Sequence, residues 1–162
     1  MTKRAPTTPA TQALDRLGLP YTAHPYEHDR AVEGYGLEAA RELGAAPEQV
    51  FKTLVVEADD RLTVAVVPVS SMLDLKSLAA AVGAKRAVMA APEAAERRTG
   101  YVVGGISPFG QRTRLPLVLD RSAEGFPTVY VSGGRRGFDL EVAPQDLLAA
   151  TDGVLARIAV AK

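Results

Sequence analysis

The sequence contains no cysteine. Disulfides, thiolate nucleophiles, zinc–thiolate sites and iron–sulfur clusters are excluded with it. Net charge is missing too, because 19 lysines and arginines balance 19 aspartates and glutamates. A neutral chain has no bulk attraction for nucleic acid or anionic lipid. No stretch approaches the roughly 18 apolar residues of a membrane span, so no membrane partner is expected. The basic start, Met1-Thr2-Lys3-Arg4, is followed by polar Thr7, Thr8 and Gln12 instead of an apolar run, so no secretory signal is expected and a cytoplasmic location is. Histidine is scarce: there are only His24 and His28. Their i, i+4 spacing would chelate a metal on a helix, but Pro25 intervenes, the segment reads as extended, and no third ligand cluster accompanies it. No metal and no other cofactor is expected.

What is present is ordinary for a soluble globular chain: 162 residues, 47% hydrophobic and 23% charged, enough to bury a core without staples. One domain over residues 1–162 is expected, since no repeat or break in composition divides it. Thr8 as N-cap with Pro9 after it starts a first helix, and Gly18 stops it. Tyr21 to Pro25 reads as a short edge strand. A helix over Gly36 to Leu43 ends at Gly44. Val50 to Glu57 and Leu62 to Val69 make a hairpin around Asp59-Asp60. Helices follow at Leu75 to Val82, with Asp74 as cap, and at Pro92 to Arg98, with a short extended piece at Val88-Met89 between them. Strands at Leu117 to Leu119, Thr128 to Ser132 and Phe138 to Val142 precede a helix over Pro144 to Ala150. Val154 to Val160 is a final strand or a docked tail. Consecutive hairpins argue for an α/β (α+β) domain with a mixed, mostly antiparallel sheet instead of a doubly wound parallel one.

Chemistry-bearing motifs are few. Ser107 sits in Gly104-Gly105-Ile106-Ser107-Pro108, where the proline opposes the helix that must follow a nucleophile elbow. Neither glycine-rich segment is a phosphate loop: Gly104-Gly105 lacks a following Gly-Lys-Ser/Thr, and Gly133-Gly134-Arg135-Arg136-Gly137 leads into a strand. The latter is a hairpin turn that needs positive φ, or a loop whose amides and arginines hold an anion. Lys52 is the most unusual residue, a lysine within the apolar run Val50-Phe51-Lys52-Thr53-Leu54-Val55-Val56. Alternation puts it on the face of Leu54 and Val56. It either snorkels to water at a sheet edge or points into a site. Asp139, between Phe138 and Leu140, poses the same question.

Four segments, Tyr26-Glu27-His28-Asp29, Val50-Phe51-Lys52-Thr53-Leu54, Gly100-Tyr101-Val102-Val103-Gly104-Gly105-Ile106-Ser107-Pro108 and Val131-Ser132-Gly133-Gly134-Arg135-Arg136-Gly137-Phe138-Asp139, together resemble the YbaK family over nearly the whole chain and in the same order. Its members are free-standing Cys-tRNA deacylases related to the editing domain of bacterial prolyl-tRNA synthetase. The resemblance implies a barrel-like sheet surrounded by helices. It also implies hydrolysis of the ester of mischarged Cys-tRNA(Pro), with prolyl-tRNA synthetase as partner. Prolyl-tRNA synthetase misactivates cysteine because a pocket discriminates near-isosteres weakly, hence a second site. By motif, Lys52 matches the family's functional lysine. Tyr26, Thr53, the Gly104-Gly105-Ile106-Ser107 loop, Gly134 and Asp139 match positions around the pocket, and Tyr35 falls where an aromatic is expected. The implied chemistry is attack by the substrate's own thiol on its carbonyl, with the Gly104 and Gly105 amides holding the oxygen, Lys52 binding the terminal adenosine, and Asp139 accepting from the α-ammonium or orienting Lys52. A deacylase for Ala- or Ser-tRNA that uses water, a non-catalytic RNA- or anion-binding module, and a metabolic enzyme for a small anion are the competing readings.

The zero net charge hides a distribution. Residues 85–136 carry nine basic side chains against four acidic ones, an excess that the flanking parts cancel. Arg112, Arg114, Arg135 and Arg136, beside the glycine loops, are the expected tRNA phosphate contacts.

Overall fold

In a computed structural model, which describes residues 5–27 and 35–162 (the Tyr35 side chain excepted), Thr8 caps helix α1 (Pro9–Leu17). Its hydroxyl accepts from the Thr11 amide, the Thr11 hydroxyl accepts from the Thr8 amide, and Gly18 closes the helix in the left-handed region at φ 67°. Strand β1 (Thr22–Pro25) and helix α2 (Tyr35–Leu43) follow. The hairpin of β2 (Phe51–Ala58) and β3 (Arg61–Pro68) turns at Asp59, φ 55°, whose carboxylate also accepts from the Lys85 and Arg86 amides. Next come β4 (Ser71–Leu73), α3 (Leu75–Ala81), β5 (Ala87–Met89) and α4 (Pro92–Thr99). Asp74 holds the N-cap position of α3 as expected, but its carboxylate accepts from the Ser77 hydroxyl and from no helix amide. After the long loop, β6 (Leu117–Asp120), a 3-10 turn (Arg121–Gly125), β7 (Val129–Arg135), β8 (Phe138–Val142), α5 (Pro144–Thr151), β9 (Val154–Ala156) and β10 (Ala159–Ala161) complete the chain.

The strands form three sheets, not one. The largest has the order β5-β2-β3-β6-β9; β3 is antiparallel to β2, and β6 is parallel to both β3 and β9. A second, antiparallel sheet has the order β1-β8-β7, with Pro25 on its edge strand. The third is the ribbon β10-β4. One parallel bridge, Val50 to Tyr130, links the first two sheets. The expected barrel-like sheet therefore does not close. The α/β class and the largely antiparallel pairing stand, and β6 and β9 add the parallel part.

Both faces of the large sheet are covered, which is why Val64-Ala65-Val66-Val67 reads as an unbroken apolar run. Val55, Val64, Val66, Leu117 and Leu119 point to the main core, which α1, α4 and α5 share through Leu14, Ala95 and Leu147. Val56, Ala65, Val67 and Val118 point the other way, onto Leu78 of α3 and Ile158 of the C-terminal tail. A third cluster seats α2 on Val50 and Val69 through Ala39 and Ala40.

Candidate functional site

Strand β5 covers the outer edge of β2 only from Val56 to Ala58. Between there and the Val50 bridge no strand among the described residues pairs with that edge. The Val55 carbonyl faces it and accepts from the Ala90 amide at 3.0 Å. Backbone groups alternate along an antiparallel strand, so the N–H and C=O of Thr53 face the same opening. A cleft of about 410 Å³ occupies the gap. Its floor is β2. Tyr26 and α2 close one side, Met89, Ala90 and α4 the other. The Val103–Ile106 loop, the β7–β8 pair through Ser132 and Asp139, and Lys162 at the end of the tail complete the wall.

Most of the lining is apolar, so each polar group in it needs a reason. Lys52 is half-buried, and burial, followed by the positive charge of Lys162, pulls its ammonium below the ordinary lysine range. Its side chain shares the face of Leu54 and Val56, as alternation requires, but sits where that face leaves the core. Asp139 is 6% exposed, and burial pushes its carboxyl up to about 7. Neither hydrogen bond nor ion pair reaches this carboxyl among the described residues, so Asp139 and Lys52 do not orient each other. The Tyr26 phenol is pushed up by burial and then by Asp139, and it remains a donor. The Thr53 hydroxyl is buried with no hydrogen-bond partner among the described residues. Ser132, the cross-strand partner of Asp139, accepts from the Gly134 amide at 3.1 Å.

The two glycine segments build this arrangement. Gly133 and Gly134 are a bulge in β7, where the register against β8 shifts between Ser132 and Arg135. A bulge bends its strand and re-aims neighbouring side chains. Gly134, at φ 110°, lies against the Tyr101 ring and Thr8, outside the cleft, and the Thr8 hydroxyl donates to the Gly133 carbonyl. Gly105 is pressed onto the hairpin: a Cβ there would come within 2.8 Å of Arg135 Cα. Its amide already donates to the Val102 carbonyl at 2.9 Å, so it does not supply the expected contact to a substrate oxygen. The loop's amides without a hydrogen bond at the cleft are those of Gly104 and Ile106.

Other expected residues lie elsewhere. Ser107 is fully buried behind the loop, where its hydroxyl accepts from the Phe109 amide. Arg114 pairs with Asp152 at 2.8 Å beside a second, smaller cleft. Arg112 reaches the Arg97 carbonyl at 3.5 Å. Arg135 is exposed at the hairpin tip. Arg136 donates to the Val103 carbonyl at 2.7 Å and so ties the hairpin to the cleft rim. None of the four lines the cleft. His24 is hydrogen-bonded to Glu141 at 2.9 Å, and this bond, after the stronger one from Thr128, holds Glu141 below the usual carboxylate range. His28 and the Tyr35 side chain lie outside the described residues. Sequence reasoning missed Ser132 and Lys162 as lining groups. Cross-strand pairing with Asp139 could have found Ser132; no local signal marks Lys162.

Residues 31–150 match the family model of the aminoacyl-tRNA editing domain. The chain is 35% identical over 153 residues to EbsC of Enterococcus faecalis, a protein assigned as a Cys-tRNA(Pro)/Cys-tRNA(Cys) deacylase, covering 93% of this chain and 92% of that one. Among solved structures it resembles one assigned as a trans-editing enzyme for prolyl-tRNA synthetase (30% identity, TM-score 0.81, 94% and 95% of the two chains). It also resembles the hypothetical protein APE2540 (27% identity, TM-score 0.85, 94% and 100%). No helix among the described residues is long and apolar enough to cross a membrane.

Proposed function

The chain belongs to the aminoacyl-tRNA editing domain family, and from that premise we propose that residues 1–162 form one cytoplasmic trans-editing domain that hydrolyses the ester of mischarged Cys-tRNA(Pro), handed over by prolyl-tRNA synthetase. The observation that carries this reading is the cleft itself: a lysine and a carboxyl tuned near neutrality in an apolar space where, among the described residues, the lysine makes no ion pair and no hydroxyl is hydrogen-bonded to a base. Its volume suits a nucleoside and a small aminoacyl group, within the usual ligand-pocket range of about 300–1,000 Å³. The exposed apolar rim of Leu37, Met89 and Val103 suits a base.

The chain has no thiol of its own. The nucleophile in this reading is the substrate's cysteine thiol. Asp139 takes the thiol proton; with the carboxyl at about 7 and a free thiol near 8.5, the transfer is uphill by about 2 kcal/mol. The thiolate attacks its own carbonyl carbon, and the free amides of Gly104 and Ile106 receive the charge that grows on the oxygen. The ribose oxygen leaves, taking the proton back from Asp139. A four-membered thiolactone is released for hydrolysis by water. The cleft's main contribution is to fold the aminoacyl group for attack, an effect worth roughly 7–11 kcal/mol in favourable cases. Lys52 holds the terminal nucleotide, and Thr53, through its unpaired hydroxyl and edge-facing backbone, holds the aminoacyl group.

The test is a deacylation panel of Cys-, Ala-, Ser- and Pro-tRNA(Pro), with and without the synthetase. Cys-tRNA(Pro) is hydrolysed and Lys52→Ala abolishes the activity. Hydrolysis of Ala-tRNA(Pro) at an equal rate would defeat the thiol mechanism, because alanine has no sulfur, and would favour an activated water.

A further inference from the structure

Two lysines face one cleft with no acidic partner. Lys52 and Lys162 both line it, and among the described residues neither makes an ion pair. The one side-chain carboxyl among the described lining residues is Asp139, which burial pushes up to about 7 and which no ion pair joins to either lysine. Like charges in a partly apolar space repel more strongly than in water. Here that repulsion is directly felt, as Lys162 adds to burial in making Lys52 harder to protonate.

The position of Lys162 is not left to a loose tail. Asp120, 4% exposed at the end of β6, accepts from the Ile158 and Ala159 amides with the same oxygen, each at 2.9 Å. Ile158 is buried and its carbonyl accepts from the Asp74 amide. Strand β10 then pairs with β4 up to Ala161 opposite Ser71. This brings the next residue, Lys162, to the face of β2 from which Lys52 projects. A buried carboxylate is thus committed to fixing the segment that carries the second cation. Two ammonium groups at one cleft, neither of them in an ion pair among the described residues, make a site for an anion, and in the reading above the anion nearest the scissile ester is the phosphate 5′ of the terminal adenosine.

We propose that Lys162 is a second substrate-binding cation of this site and that it grips that phosphate together with Lys52. The proposal rests on the aminoacyl-tRNA reading for the identity of the phosphate and on the geometry for the anion site.

The experiment measures binding of 5′-AMP and of adenosine by titration calorimetry, over a range of salt concentrations, to the wild-type chain, Lys162→Ala and Lys162→Arg. The same proteins are assayed on Cys-tRNA(Pro). The wild type binds 5′-AMP more tightly than adenosine. Lys162→Ala weakens 5′-AMP by about three- to fivefold, leaves adenosine unchanged, and makes 5′-AMP binding less sensitive to salt. Lys162→Arg restores all three, and the loss in deacylation falls on KM more than on kcat. Equal 5′-AMP affinity and an unchanged salt slope in Lys162→Ala would overturn the proposal, as would a wild type that does not distinguish 5′-AMP from adenosine. A wild type with Lys162-dependent 5′-AMP binding but no deacylation overturns the editing reading and leaves the anion site standing. Normal deacylation and KM in Lys162→Ala do the reverse.

Discussion

Replacing Asp139 by asparagine should make the protein more stable and less active, and the gain should depend on pH in a way that only a buried carboxyl produces. In the folded chain Asp139 titrates at about 7; in the unfolded chain it titrates near its ordinary 3.8. The folded pKa is raised, so the native state holds the proton more tightly. Below about pH 4 both states are protonated and the group contributes nothing. Between pH 4 and 7 the unfolded chain ionises while the folded one does not, and stability falls by about 1.4 kcal/mol per pH unit. Above pH 7 the native carboxyl ionises too, and the cost levels off at about 4 kcal/mol. Asparagine keeps the shape and removes this cost, though its amide must find partners in the same 6%-exposed position, which returns part of the gain.

The expected net effect at pH 8 is about 2–3 kcal/mol, or a rise in Tm of about 4–12 °C for a chain of this length. At pH 4 only the cost of the amide remains, and the asparagine variant should be the less stable of the two by about 1–2 kcal/mol. The assay is thermal or urea unfolding of both proteins from pH 4 to 8. Glu141, two residues along the same strand, and Tyr26, just beyond β1, are common to both proteins, and the Tyr26 phenol is pushed up out of this pH range. A difference that is flat with pH, or an asparagine variant that is less stable at pH 8, would refute the reasoning. Loss of deacylation alongside the gain in stability would show what the strained carboxyl is kept for.

Three further outcomes follow from single contacts. Thr53→Val removes a buried hydroxyl without a partner and should raise stability by about 1 kcal/mol in urea unfolding, while kcat/KM falls because the substrate loses that oxygen. Gly36→Ala puts a Cβ within 2.3 Å of Val69 Cγ1 and should destabilise by about 1–3 kcal/mol, and a Gly36→Ala/Val69→Ala double mutant should show favourable coupling in the same assay. Arg136→Ala removes the donor to the Val103 carbonyl at the cleft rim, and steady-state kinetics should show a raised KM.

The features legible in the sequence are those whose cause is local. Thr8 with Pro9, Gly18 after Leu17, and Asp59-Asp60 between two apolar runs each carry their own geometry, and the elements start and stop beside them. Strand β4 was illegible because nothing in Ser71-Met72-Leu73 makes a strand until β10 arrives from the other end of the chain to pair with it. Lys52 illustrates the boundary. Alternation correctly gave its face, but whether that face was water or a site depended on where β5 stops along β2, and a three-residue strand has no sequence signature of length. The segment Gly133 to Gly137 reads as a hairpin turn that needs positive φ, and Gly134 and Gly137 both have it. The turn itself is at Arg136-Gly137, and Gly133 and Gly134 form a bulge that lets Phe138, Tyr101 and Thr8 approach the backbone.

Charge shows the same limit from the other side. The basic excess in residues 85–136 suggested that arginines near the glycine loops meet phosphate. In the fold, Arg114 is paired with Asp152, and Arg112 and Arg136 serve backbone carbonyls. The cations that face the cleft, Lys52 and Lys162, come from outside that stretch and meet only because β2 and the anchored tail converge. A window of sequence counts charges that are already used. What a ligand feels is the charge left unpaired where the backbone leaves room. Among the described residues that is two lysines in a cleft sized for a nucleoside, a small electrostatic grip that favours a substrate delivered by a partner over one captured by long-range attraction.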